Sequence, residues 1–190
     1  EFVDKGADRI RKSLGKRVEK GKLTQEQADK TLKLLRTSTD LRDAAKDADF
    51  VIEAVPESLD LKKQIFAELD KICKPEAILA TNTSVLPVTA IAGATERKDK
   101  VVGTHFFNPA AVMKLVEVVM PIGVAAETVE TAMDVCKKMG KVPVRTKDTP
   151  GFIVNRLLGP LYMDAAQMVL EGTATAEDID TAMKLGAGHP

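Results

Sequence analysis

Two side chains able to move a proton stand in apolar runs where charge is costly. His105 follows Val101-Val102-Gly103-Thr104, and Glu117 sits between Val116 and Val118. An unperturbed imidazole titrates at about pH 6.5, so it takes up and returns protons at neutral pH. A carboxylate bonded to one ring nitrogen fixes the tautomer and stabilises the imidazolium. A glutamate inside LVEVV needs such a partner, because an unpaired buried carboxylate is expensive. The two residues make a candidate base and orienter, provided their strands bring them within ~3 Å. On spacing alone a second reading stays open: a histidine bonded to a backbone carbonyl and a glutamate on an exposed edge.

Other polar groups stand at the ends of apolar runs. Thr81-Asn82-Thr83-Ser84 places four hydroxyl or amide side chains in a row. They suit a ligand, or a plain turn and cap. Asn108-Pro109 is turn chemistry. Asn155 lies in the apolar stretch FIVNRLL, where a buried amide needs partners and a crevice ligand is one candidate. Arg9, Arg11, Lys12, Lys16, Arg17, Lys20 and Lys22 make the start of the chain cationic. That is a solvated face, or a seat for the phosphates of an acyl carrier.

These residues must be positioned by a core. The chain has 190 residues, 44% of them apolar, so an ordinary globular core is expected. Its 28 basic and 28 acidic residues balance, which argues against a general nucleic-acid binder. The apolar runs are far shorter than the ~20 residues that cross a bilayer, so no membrane partner is expected. No stretch reads as a signal peptide, which makes the cytoplasm or an organelle matrix the expected compartment. Cys73 and Cys136 form no metal or redox spacing and read as buried small hydrophobes; no metal is expected.

Strand-like runs FVIEAV, AILATN, VVGTHF, KLVEVV and VPVRT mostly alternate with helical patterns. Alternation of this kind predicts an α/β fold with a doubly wound parallel sheet. Thr24 with Gln27 reads as a capping box, Ser58 and Thr175 as helix caps, and Gly140 as a helix stop. After DTPG the pattern is wholly helical. Two domains are therefore expected, 1–147 and 148–190. Ligands of such sheets sit at the carboxyl ends of the strands. That brings AVPE, ATNTS and THFFNP around one crevice. No strand followed by a GxGxxG turn is present, although dinucleotide-binding sheets usually open with one. The chain is expected to be an excerpt of a longer protein, short of its first strands and inactive alone.

VIEAVPE, ATNTSV, GTHFFNPAAVMKLVEVV, KDTPGFIVNRLL and EDIDTAMKLGAGHP together resemble the L-3-hydroxyacyl-CoA dehydrogenase family, in particular short bacterial 3-hydroxybutyryl-CoA dehydrogenases. The resemblance runs over essentially the whole chain. It implies a Rossmann-like sheet followed by the start of an all-helical domain. It also implies an oxidoreductase of fatty acid metabolism that interconverts L-3-hydroxyacyl-CoA and 3-ketoacyl-CoA with NAD, as a cytoplasmic homodimer. By the resemblance His105 is the base, Glu117 its carboxylate partner, Ser84 lies near the substrate oxygen and the cofactor, and Asn155 meets the substrate carbonyl region. Glu57, Lys62, Ser84 and Asn108 match cofactor-side positions, and Ser13 and Lys20 match positions that hold coenzyme A. Val85 stands where a second serine is common in the family. Two other readings remain: an NAD-dependent sugar-acid dehydrogenase of the L-gulonate type, and a non-catalytic acyl-CoA-binding fragment. Fusion to a hydratase in a multifunctional β-oxidation chain is also compatible. Ser13 and Lys20 facing the substrate crevice would favour the acyl-CoA substrate.

Overall fold

The computed structural model describes residues 1–189. Two helices, α1 (Phe2–Glu19) and α2 (Gln25–Leu34), form an opening hairpin, followed by the short α3 (Leu41–Ala45). Then come β1 (Phe50–Glu53), α4 (Leu59–Ile72), β2 (Ile78–Thr81), α5 (Val88–Ala92) and β3 (Val101–Phe106). β4 (Leu115–Met120), α6 (Ala126–Lys138) and β5 (Val142–Lys147) complete the α/β part. Helices α7 (Val154–Leu170) and α8 (Ala176–Ala187) end the chain.

The five strands lie side by side in chain order. β1, β2 and β3 are parallel, as are β4 and β5, but β4 runs antiparallel to β3. The α/β, Rossmann-like class holds, with a mostly parallel sheet whose one antiparallel step is between β3 and β4. The reason is length. Residues 107–114 join β3 to β4 without a helix, and a parallel return needs a crossover of a dozen or more residues.

Alternate strand residues feed two cores. Leu79, Val101 and Val119 pack with Phe66 and Leu69 of α4 and Val88 and Ile91 of α5. Ile78, Ala80, Val102, Val116 and Val118 pack with Val129, Ala132, Met133 and Cys136 of α6. The helices thus cover both faces, as period-two alternation in a buried sheet requires. Gly103 pairs with Val119, and a Cβ on it would come to 2.7 Å from the Val119 Cβ. Only glycine fits there, two residues before His105 on the same face. Both cysteines are buried and free.

The caps form as read: Thr24 with Gln27, Ser58 and Thr175 each accept from a backbone amide of the first turn. In contrast with the sheet region, α7 and α8 bury no residue, and Leu157, Tyr162, Met163, Leu170 and Leu185 are exposed.

Thr104 faces the α6 core. Its hydroxyl is buried, with no hydrogen-bond partner among the described residues. A buried unsatisfied hydroxyl is destabilising, and valine keeps the branched shape without it. Thr104→Val is therefore expected to raise stability by about 1 kcal/mol, seen as a higher Tm in thermal unfolding. A lower Tm would mean that the hydroxyl has a partner after all.

Candidate active site

The parallel run of β1, β2 and β3 puts their carboxyl ends on one edge of the sheet. The turn after β2 is tied to both neighbours: the Asn82 amide donates to the Glu53 carbonyl, and Asn82 Oδ1 accepts from the Phe106 amide at 2.9 Å. Of the two readings of Thr81–Ser84, Asn82 follows the turn reading: its side chain and amide lace this edge together.

The antiparallel register sets His105 directly opposite Glu117. His105 Nδ1 lies 2.7 Å from Glu117 Oε2, with His105 5% exposed and Glu117 fully buried. The second carboxylate oxygen, Oε1, accepts from the Ile153 and Val154 amides, both at 3.0 Å. These amides open α7, where first-turn N–H groups lack partners within the helix and favour an anion. The chain enters that position through Gly151 (φ +75°) and Phe152 (φ +51°). A left-handed phenylalanine is a strained residue. Here its ring lies tilted 5.6 Å from the imidazole, and the Phe107 ring, also tilted, lies at 4.5 Å. Against an ionised carboxylate, which can only accept, the neutral form of the ring carries its proton on Nδ1 and its lone pair on Nε2. Among the described residues nothing hydrogen-bonds Nε2, which leaves it available to a substrate hydroxyl.

Ser84 and Asn155 belong to the same cluster. Asn155, in the first turn of α7, points its Nδ2 at the Ser84 carbonyl, 3.4 Å away. The Ser84 amide donates to Glu57 Oε1 at 2.9 Å, and the same oxygen accepts from Thr83 Oγ1 and the Val85 amide. Burial pushes the Glu57 carboxyl up, but the hydrogen bonds from Thr83 and Ser84 and the Lys62 charge outweigh it and hold the pKa below the usual carboxylate range. Its side chain is 37% exposed, an anionic acceptor on the crevice rim.

Lys62 stands behind Glu57, 1% exposed. Its ammonium donates to Glu53 Oε1 at 2.8 Å and the Val55 carbonyl at 3.2 Å, and lies 3.4 Å from Glu57 Oε2. Three donors meet three acceptors. Its charge is thus taken up by protein acceptors, of which the Glu57 carboxylate is partly exposed. Glu53 also accepts from the Val55 amide and Thr81 Oγ1, so the buried pair is fully satisfied. Glu53 is a residue that sequence reasoning missed. Its signal was a carboxylate ending the apolar run FVIE, the same kind of signal as Glu117.

The remaining candidates lie apart. Asn108 is exposed on the loop after β3. Ser13, on α1, and Lys20, its C-cap residue, are exposed and line an open groove of ≈ 450 Å³ with Lys16, Arg17, Lys22, Ala111 and Val112. The dyad and this groove are distinct features, linked by the 107–114 loop. Among the described residues no three His, Cys, Asp or Glu side chains are placed to hold a metal ion. Among those residues, too, no helix is long and apolar enough to cross a membrane.

Comparison with known families places the chain. Residues 1–149 match the model of the 3-hydroxyacyl-CoA dehydrogenase NAD binding domain, and residues 151–190 match that of the 3-hydroxyacyl-CoA dehydrogenase C-terminal domain. The chain belongs to the 3-hydroxyacyl-CoA dehydrogenase family. It is 48% identical to the mitochondrial hydroxyacyl-coenzyme A dehydrogenase of Mus musculus, over 100% of this chain and 62% of that protein. It is 44% identical to a probable 3-hydroxybutyryl-CoA dehydrogenase of Bacillus subtilis, over 100% of this chain and 66% of the relative. The crystal structure of (S)-3-hydroxybutyryl-CoA dehydrogenase from Ralstonia eutropha superposes with a TM-score of 0.95 at 39% identity, over 99% of this chain and 66% of that one. The chain spans 54–62% of the length of the mammalian relatives.

Within this family member, Glu57 is a half-exposed anionic acceptor held by the Lys62 ammonium on one side and the Ser84 amide on the other.

Proposed function

We propose that this chain carries the proton-handling site of an NAD-dependent dehydrogenase that interconverts short L-3-hydroxyacyl-CoA, such as 3-hydroxybutyryl-CoA, with the 3-ketoacyl-CoA. One observation carries the reading: a buried 2.7 Å imidazole–carboxylate pair whose outer nitrogen has no partner among the described residues, beside Ser84 and Asn155. In the oxidative direction His105 Nε2 takes the proton of the 3-hydroxyl. Glu117, seated on two amides, holds the ring and stabilises the imidazolium that forms. Ser84 and Asn155 orient the substrate oxygen and carbonyl. In the reductive direction the same imidazolium returns the proton. NAD, when bound, supplies the hydride chemistry. Glu57, Ser84 and Asn108 are the residues that would hold it, with Lys62 behind Glu57.

Ser13 and Lys20 take the coenzyme A end. Their groove takes Ala111 and Val112 from the 107–114 loop, which follows the His105 strand. The choice of acyl-CoA over a sugar acid is supported by the named relatives. Residues 1–147 then form the dinucleotide-binding part, and 148–190 start a helical part that makes a homodimer. A cytoplasmic location rests on the bacterial relatives.

The test is substrate choice. The intact protein is expected to oxidise NADH with acetoacetyl-CoA and to leave L-gulonate with NAD untouched. Its KM for acetoacetyl-CoA is expected to rise with salt, because ions screen the exposed α1 cations. Turnover of L-gulonate without turnover of acetoacetyl-CoA would replace this reading with the sugar-acid one.

A further inference from the structure

The segment Asn108–Lys114 joins the His105 strand to the Glu117 strand, and every side chain in it is exposed. No packed side chain holds it down. The Pro109 carbonyl accepts from the Val112 and Met113 amides, which gives only a local turn. The Val142 amide donates to the Lys114 carbonyl at 2.8 Å and fixes the root of the segment, not its tip. Yet Ala111 and Val112, near the tip, form one wall of the groove opposite Lys16, Arg17 and Lys20.

One side chain spans the gap. Lys141, half-buried just before β5, donates from Nζ to the Ala110 carbonyl and to the Met113 carbonyl, the latter at 2.8 Å. Among the described residues it is the one side chain from elsewhere that hydrogen-bonds this segment's tip. An ammonium is well matched to two converging carbonyls, because it is a compact charge with three donors. Charge-assisted bonds of this kind are the stronger class.

We propose that Lys141 is a positioning residue that clamps the 110–113 tip of this segment as a wall of the carrier groove. The proposal rests on the acyl-CoA reading above. The clamp acts on the nucleotide end of the substrate. The dyad is held separately by the β3–β4 register and by α7, so the chemical step does not pass through Lys141.

The intact enzyme with Lys141→Met is expected to show a KM for acetoacetyl-CoA raised about tenfold, the scale of a lost charge-assisted hydrogen bond. The KM for NADH and kcat are expected to stay within about twofold. Acetoacetyl-pantetheine lacks the nucleotide and its phosphates, so wild type and variant are expected to use it equally well. Lys141→Arg keeps a charged multiple donor and is expected to restore most of the loss. Calorimetric titration with coenzyme A alone gives a second readout that needs no turnover, and there the methionine variant is expected to bind about tenfold more weakly. Unchanged KM and unchanged coenzyme A affinity would overturn the clamp. So would an equal loss with both thioesters and NADH, which marks a lysine that only supports the fold. A wild-type protein that binds coenzyme A but cannot reduce the ketone sinks the reaction reading, and the titration still decides the clamp. A wild-type protein that binds no coenzyme A sinks the clamp itself.

Discussion

His105→Gln in the intact enzyme is expected to lower kcat by roughly 10²–10⁴-fold, the range that a positioned general base supplies. Glutamine is the informative replacement because it separates proton transfer from packing. Its amide can still donate to Glu117 Oε2, so the buried carboxylate keeps three donors, counting the Ile153 and Val154 amides. What it cannot do is accept a proton from a hydroxyl and give it back. The effect is expected in both reaction directions, since one imidazole serves as base in one and acid in the other. Coenzyme A affinity is expected to change little, because the carrier groove draws its residues from α1 and the 107–114 loop. Steady-state rates in both directions, with a coenzyme A titration alongside, decide the matter. A variant within about threefold of wild-type kcat would remove His105 from the mechanism.

Local signals in the sequence are strong where the physics is local. The Thr24–Gln27 capping box, the Ser58 and Thr175 caps and Gly140 with its positive φ each follow from a few adjacent residues. β3 and β4 emerge from short β-branched runs, and their polar residues stand out because charge in such a run needs a reason. The direction of β4 is also written in the chain, in an eight-residue connection too short for a crossover, but alternation of elements elsewhere overshadows it. Lys62 is harder. LDLKKQIF reads as an amphipathic helix with lysines in water, and nothing local says that one of them turns inward onto Glu53. Glu117 has a deeper hidden part. Half of what holds it comes from backbone amides 36 and 37 residues downstream, and a backbone amide has no side-chain signature. The groove likewise joins α1 to a loop far along the chain, so α1 alone shows only a cationic stretch.

The same geometry makes Glu117→Gln a sharper probe than its conservative look implies. Two backbone amides point at Oε1, so the glutamine carbonyl oxygen takes that side and the amino group is left facing His105. Both ring-facing groups would then be donors. His105 escapes by moving its proton from Nδ1 to Nε2, which turns the nitrogen aimed at the substrate from an acceptor into a donor. A comparable carboxylate-to-amide change in a serine protease triad costs about 10⁴-fold through the wrong tautomer, and roughly 10³–10⁴-fold is expected here. Stability is expected to fall by only about 1 kcal/mol, because the two amides keep their acceptor. Glu117→Ala behaves differently: it leaves two amides and an imidazole buried without a partner, an expected loss of roughly 3–5 kcal/mol. The pair of variants therefore separates orientation from scaffolding. Ring-nitrogen NMR shifts of His105 in Glu117→Gln are expected to report the Nε2–H tautomer, and kcat is expected to fall while the Tm stays close to wild type. If glutamine kept kcat within about tenfold with an unchanged tautomer, Glu117 would be a structural carboxylate that happens to lie beside a histidine.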